Sequence, residues 1–418
     1  MSKYIIKGGN KINGEIALNG AKNSVLPILS ASILCDKCII HNCPALTDVK
    51  AALNILSCLG SKYIVDGDTV ILDNSGINND FIPDNLMREM RSSVVFMGAV
   101  IARLKSAIIS YPGGCELGPR PIDIHIKALK KLGAEIKEEG GYLNCKVKGN
   151  FKGRVINLPF PSVGATENTM IAAVCADGET VINNAAREPE ILDLAEFLIK
   201  CGGDINIDKF GTIFIKGVKT LNKSVEHSVI SDRIEAATFL SAAAATGGEI
   251  LIKKANPEYL RAVTPVFEEM NCTIKYKNDE IYLKRNGILK SPKIIRTMPY
   301  PGFPTDMQSP LMAATTIADG MTVFIENIFE SRYKHVPELI RMGADIKTEG
   351  KIAWVNGVKQ LHGANVLCTD LRGGAALCIA AMTAEGETKV DKVSHIERGY
   401  ENFDMRLRNL GIDIKKEV

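Results

Sequence analysis

The sequence predicts an α/β protein of two lobes, each built from three copies of one strand-helix-strand-helix-strand-strand unit. Three observations predict it. A short string recurs six times, at Leu59-Gly60, Leu132-Gly133, Cys201-Gly202, Met270-Asn271, Met342-Gly343 and Leu410-Gly411. Its period of roughly 70 residues exceeds a solenoid repeat and fits a supersecondary unit. An Ala-rich segment lies upstream of each copy, so each unit holds one helix that can be buried on most sides. The chain ends also complement each other. The last unit stops one strand short at Lys415-Lys416-Glu417-Val418, and Lys3-Tyr4-Ile5-Ile6-Lys7-Gly8 echoes Thr212-Ile213-Phe214-Ile215-Lys216-Gly217, the closing strand of the third unit.

Taken in order, the Ala-rich helices fall at Asn23–Leu34, Ser92–Leu104, Ala165–Ala176, Ile234–Ala245, Met307–Ala318 and Gly374–Ala384. A β-branched strand follows each of the later five, at Ala107–Ser110, Thr180–Ile182, Glu249–Ile252, Thr322–Ile325 and Thr388–Val390. The second helix of a unit is amphipathic, as in Pro121–Leu132, Pro189–Cys201 and Pro257–Met270. It opens near a proline and ends at the recurring glycine or asparagine, as helix termini prefer. Two short strands and a turn close the unit. One lobe is expected to span 21–229. The other holds 1–20 and 230–418, and the two chain crossings make a hinge for a cleft that carries the active site.

Composition excludes several classes. An apolar fraction of 46% and a charged fraction of 24% describe a globular chain. A net charge of +3 offers no broad surface for nucleic acid or acidic membrane. No run of about 18 apolar residues is present to span a bilayer, and the start lacks a signal-peptide pattern. Eleven scattered cysteines fit a reducing cytoplasm. Cys35 and Cys38 have a CxxC spacing, but no second pair completes a zinc site.

The chemistry gathers in polar interruptions. Pro112-Gly113-Gly114-Cys115-Glu116-Leu117-Gly118-Pro119-Arg120-Pro121 is a shaped loop with a thiol near a guanidinium, a setting that favours the reactive thiolate. Lys22 and Asn23 open the first helix and Arg91 the second. A cation at a helix start opposes the helix dipole unless an anion joins it. Asp306 leads an apolar helix and reads there as an N-cap. Asp370, Arg372, Arg332 and Arg398 add charge beside glycines or helix starts. Lys22, Arg91, Arg120, Arg332, Arg372 and Arg398 together suit a ligand with several negative charges. Neither a Walker loop nor a dinucleotide fingerprint is present.

Several strings resemble the UDP-N-acetylglucosamine enolpyruvyl transferase family along essentially the whole chain. They are Asn19-Gly20-Ala21-Lys22-Asn23, the Cys115 loop through Asp123, and Ser162-Val163-Gly164-Ala165-Thr166. Further matches are Ala186-Arg187-Glu188-Pro189-Glu190, Asp232-Arg233-Ile234-Glu235, Pro304-Thr305-Asp306 and Thr369-Asp370-Leu371-Arg372. The resemblance implies a two-lobed inside-out α/β barrel. It implies transfer of enolpyruvate from phosphoenolpyruvate to the 3-hydroxyl of UDP-N-acetylglucosamine, by addition and elimination, early in peptidoglycan synthesis. No cofactor and no metal are implied.

The resemblance assigns Lys22, Arg120 and Arg398 to the phosphate and carboxylate of phosphoenolpyruvate, with Arg91 and Arg372 as further contributors. Cys115 matches the acid that protonates the methylene carbon and the target of fosfomycin. Asp306 matches the carboxylate that takes the sugar hydroxyl proton, and Asp370 a second carboxylate that orders the site with Arg398. Asn23 matches a sugar contact. Pro121, Ile122, Asp123, Ile124, His125, Ser162, Val163, Gly164 and Ile328 match the nucleotide pocket. Phe160 departs from the pattern, since some members carry a lysine there. Two other readings stay open: a shikimate-type enolpyruvyl transferase and a catalytically silent paralogue that binds the nucleotide sugar.

Overall fold

The structure, a computed structural model, describes residues 2–113 and 122–417. These residues form six four-stranded sheets of one topology. In each, a first strand runs parallel to a second, and the second is continued by two antiparallel strands. The third unit shows the pattern within one stretch of chain. Val155–Asn157 pairs parallel with Glu179–Asn183, which pairs antiparallel with Ile213–Lys216, itself paired with Asp204–Ile207.

The repeat is laced where the chain ends. Lys3–Lys7 lies antiparallel between Glu387–Asp391 and Asp413–Glu417, so the first strand of the chain completes the sixth sheet. Asn13–Ala17 opens the fourth sheet against Glu249–Lys253. Likewise Ser224–Ser228 opens the first sheet against Lys37–His41. Two compact units result. One holds residues 2–19 and 231–417, and the other holds 20–113 and 122–230.

Each unit has its own core. In the unit of residues 20–230, the helix Phe96–Leu104 packs against both Lys22–Ala31 and Val163–Ala173. In the other, Arg233–Thr246, Thr305–Thr315 and Leu371–Thr383 pack on one another. Every residue from Arg233 to Ala245 is buried. A helix without a polar face gains its stability from such burial rather than from propensity. Small residues set the approach. An added Cβ on Gly98 would stand 2.4 Å from Asn168 Oδ1, so the second and third helices cross in near contact.

The recurring string is a helix stop. Gly60, Gly133, Gly202, Asn271, Gly343 and Gly411 all have positive φ, between +67° and +109°. That is the left-handed conformation that ends a helix and that glycine or asparagine adopts most readily. The expected continuous helix Pro257–Met270 is broken, however. It is a 3₁₀ turn at Pro257–Leu260 followed by an α-helix at Thr264–Glu269. Pro265 lacks an N–H and would clash with the turn before it.

Candidate active site

In the unit of residues 20–230, Lys22 starts the first inner helix and its ammonium pairs with Asp48 at 2.8 Å. Pro27 stands four residues beyond Asn23 in that helix and has no N–H to offer the Asn23 carbonyl. Arg91 starts a 3₁₀ turn, Arg91–Val95, and donates to the Pro112 carbonyl at 3.2 Å. Gly113 lies against the Arg88 backbone, where a Cβ would meet Arg88 Cα at 2.7 Å. Cys115, Arg120 and Pro121 lie outside the described residues.

Ser162 caps the helix Val163–Ala173 by accepting from Ala165 N–H. Beside it, His125 is held by Asn168, whose amide makes three hydrogen bonds. Asn168 Nδ2 donates to the Val94 carbonyl at 2.8 Å and to His125 Nδ1 at 3.0 Å, while Oδ1 accepts from Gly98 N–H at 2.7 Å. The ring hydrogen of His125 therefore sits on Nε2. A Cβ on Gly164 would approach that edge of the ring, 3.3 Å from Nε2. Burial, and then the nearby Arg91 charge, push the His125 pKa down to about 4. Burial with the Glu190 and Glu188 carboxylates pushes Glu167 up to about 8. Ile122 is core, Ile124 is half-buried, and Asp123 pairs with Lys127 at 2.9 Å in an i,i+4 bridge. Phe160 is 42% exposed.

In the other unit, Asp306 is held between two guanidinium groups. Arg332 Nη2 lies 3.1 Å from Oδ1, and Arg372 Nη2 lies 3.3 Å from Oδ2. The arginines are 1% and 2% exposed, whereas Asp306 is 26% exposed. The carboxylate is thus fixed from behind and reachable from solvent. This corrects the N-cap reading, because Asp306 is the second residue of its helix and Pro304 occupies the cap position.

Arg372 also lies over the Tyr400 ring at 5.1 Å, and Tyr400 shares a hydrogen bond with Thr238 at 2.7 Å. Burial opposes the Arg372 charge, but Tyr400 and Asp306 together raise its pKa above the ordinary guanidinium value. Asp370 is the true cap, accepting from Arg372 N–H at 3.1 Å and Gly373 N–H at 2.9 Å. Ile328 is set by Glu326, a buried carboxylate whose Oε1 takes the Ile328 and Phe329 N–H groups and whose Oε2 takes the Thr305 hydroxyl. Arg398 ends the 3₁₀ turn Val393–Arg398 rather than starting a helix. Asn402, four residues on, has a positive φ and precedes the helix Phe403–Asn409.

Both ring nitrogens of His335, Arg332 Nε and Arg372 Nη1 are buried without a partner among the described residues. Burial lowers the His335 pKa to about 4; the Asp370 charge opposes this and the Arg332 charge adds to it. An unfolded chain takes up that proton near the ordinary imidazole value of about 6.5, well before the native state does. Stability is therefore full at neutral pH and is lost as pH falls from about 6.5 to about 4, by up to roughly 3 kcal/mol for one such group. Chemical denaturation at pH 7 and pH 4.5 measures the loss. His335→Gln is expected to make the decline with acidification shallower; an unchanged decline would remove this assignment.

Residues 6–407 match the family profile described as EPSP synthase (3-phosphoshikimate 1-carboxyvinyltransferase). The chain is 49% identical to UDP-N-acetylglucosamine 1-carboxyvinyltransferase 2 of Caldanaerobacter subterraneus subsp. tengcongensis, over 99% of both chains. The chain belongs to the UDP-N-acetylglucosamine 1-carboxyvinyltransferase family. The Acinetobacter guillouiae member is 46% identical, covering 100% of this chain and 99% of its own. A Staphylococcus aureus member is 45% identical over 100% and 99%.

The fold of this UDP-N-acetylglucosamine 1-carboxyvinyltransferase family member extends to more distant structures. The enolpyruvyl transferase NikO from Streptomyces tendae superposes with a TM-score of 0.88 at 23% identity, over 99% and 98% of the two chains. EPSP synthase from Acinetobacter baumannii gives 0.75 at 18%, over all of both. Within the units, the structure brings Asp306, Arg372 and Arg332 together, and places His125 beside Gly164. Sequence reasoning missed Asp48, Asn168, Glu326 and His335. For Asp48 and Glu326 a signal existed: each is a carboxylate at a position that the local apolar pattern buries.

Proposed function

We propose that the chain transfers the enolpyruvyl group of phosphoenolpyruvate to the 3-hydroxyl of UDP-N-acetylglucosamine with release of phosphate, the committing step of peptidoglycan precursor synthesis. The observation that carries the reading is end-to-end identity of 45–49% to relatives bearing that name. The geometry supplies chemistry that suits it. A solvent-reachable carboxylate fixed by two buried cations suits the task of accepting the sugar hydroxyl proton as the hydroxyl adds. In this reading Asp306 is that base, and Cys115 delivers a proton to the methylene carbon. Lys22, Arg120 and Arg398, with Arg91 and Arg372, take the anionic charge of phosphoenolpyruvate. Asp370 keeps the start of the Arg372 helix in place.

Asn23, Ser162 to Gly164, Ile328 and the 121–125 segment take the nucleotide sugar. The activity serves cell-wall growth, and with it cell shape and division, and is placed in the cytoplasm. Phosphate release from phosphoenolpyruvate tests the reading, with UDP-N-acetylglucosamine in one tube and shikimate 3-phosphate in another. Release only with the nucleotide sugar is expected. Release only with the shikimate ester would transfer the fold to the other substrate, and release with neither would favour a silent binding protein.

Fosfomycin gives a second check. The compound is expected to add its mass to one peptide, that of Cys115, and Cys115→Ala to abolish the addition. Ten other cysteines are described. Eight are buried, and the epoxide selects an accessible, activated thiolate. Mass added at another thiol would refute the assignment.

A further inference from the structure

The contacts proposed for Lys22 and Asn23 depend on where the first turn of the helix Lys22–Ala31 stands. That helix has no side-chain cap of its own. It is held instead by Asp193, a side chain 1% exposed on the helix Pro189–Lys200. Asp193 Oδ2 accepts from the Ser24 hydroxyl and from Ile230 N–H, the latter at 3.2 Å. Its Oδ1 accepts from His227 Nε2 at 2.9 Å. The Lys200 ammonium lies 3.2 Å from His227 Nδ1. An ammonium can only donate, so the ring hydrogen sits on Nε2, facing Asp193.

The backbone closes the same knot. Ala21 N–H donates to the Ile230 carbonyl at 2.7 Å. Gly20 and Ile230 are the two ends of this compact unit. One buried carboxylate thus ties the entry of the chain, its exit and the turn that bears Lys22. A buried carboxylate is costly unless its oxygens are well hydrogen-bonded, and here three donors from three elements converge on it.

We propose that Asp193, oriented by His227, is a positioning residue for phosphoenolpyruvate, acting through Ser24 on Lys22. The inference rests on the transferase reading. Its test is the steady-state kinetics of phosphate release for the full chain beside Ser24→Ala, Asp193→Asn and the double variant, with a melting temperature for each. Asp193→Asn is expected to raise KM for phosphoenolpyruvate about tenfold, and Ser24→Ala about threefold, while kcat moves less than about threefold. The double variant is expected to match Asp193→Asn alone, because both changes break one contact.

A packing role would lower the melting temperature of Asp193→Asn and leave KM where it was, which overturns the proposal. If Asp193→Asn does not fold, Ser24→Ala decides: it deletes one hydroxyl, and an unchanged KM overturns the proposal equally. A wild-type chain that releases no phosphate overturns the transferase reading and this inference with it. A wild-type chain that turns over beside unmoved variants overturns this inference alone.

Discussion

Asp306→Asn is expected to lower kcat for phosphate release by about three orders of magnitude while KM for either substrate changes little. Two physical effects act in the same direction. The amide is no base, and loss of a positioned general base costs roughly 10²–10⁴ in rate. The amide also offers an oxygen to only one of the two guanidinium groups that now share the carboxylate. Its NH₂ must face Arg332 or Arg372, donor against donor. Both arginines are nearly fully buried, and breaking a buried pair typically costs about 3–5 kcal/mol when one charge is left alone. Here each cation keeps other partners, Thr305 carbonyl for Arg332 and the Tyr400 ring for Arg372. A loss nearer the lower end is therefore expected, and the variant folds. Circular dichroism and a melting curve establish folding before the rate is read. A folded Asp306→Asn with kcat within about tenfold of wild type would dismiss Asp306 as the base.

The repeat made the fold legible. Six helix stops at a constant spacing are conformational necessities, because only glycine and asparagine enter the left-handed region cheaply. All six do so. The echo between Lys3–Lys7 and Ile213–Lys216 located the closing strand for the same reason: equivalent strands meet equivalent neighbours. What stayed hidden is tertiary. Asn13–Ala17 and Ser224–Ser228 open sheets whose other strands lie more than 140 residues away, and no local pattern announces such a pairing. In the site, cations beside glycines or helix starts were visible in the sequence. The buried carboxylates that order their surroundings were less so. Asp48, Asp193 and Glu326 sit on faces that otherwise read as apolar, and a single polar residue in an apolar stripe is ambiguous until its partner is known.

Gly98→Ala tests how far the helix core governs the nucleotide side of the site. Alanine is intrinsically the better helix residue by about 1 kcal/mol, so a free helix would be stabilised. In this core the new methyl would stand 2.4 Å from Asn168 Oδ1 and 2.7 Å from the Asn168 carbonyl oxygen. The carbonyl is backbone and cannot turn aside, so the two helices must part or Asn168 must leave its place. Overpacking of this kind costs about 1–3 kcal/mol, enough to outweigh the gain in propensity. The melting temperature is expected to fall by about 1–4 °C. The functional consequence follows from the hydrogen bonds. Asn168 displaced from Gly98 N–H also loses its hold on His125 Nδ1, and the ring then no longer keeps its hydrogen on Nε2 beside Gly164. KM for UDP-N-acetylglucosamine is expected to rise about tenfold, with KM for phosphoenolpyruvate held. Adding Asn168→Ala removes the side-chain clash but not the loss at His125. The double variant should therefore recover stability relative to the sum of the single changes and leave the raised KM in place. A Gly98→Ala protein that melts higher than wild type would mean that the helices yield without strain, and the link from helix packing to nucleotide binding would fall with that result.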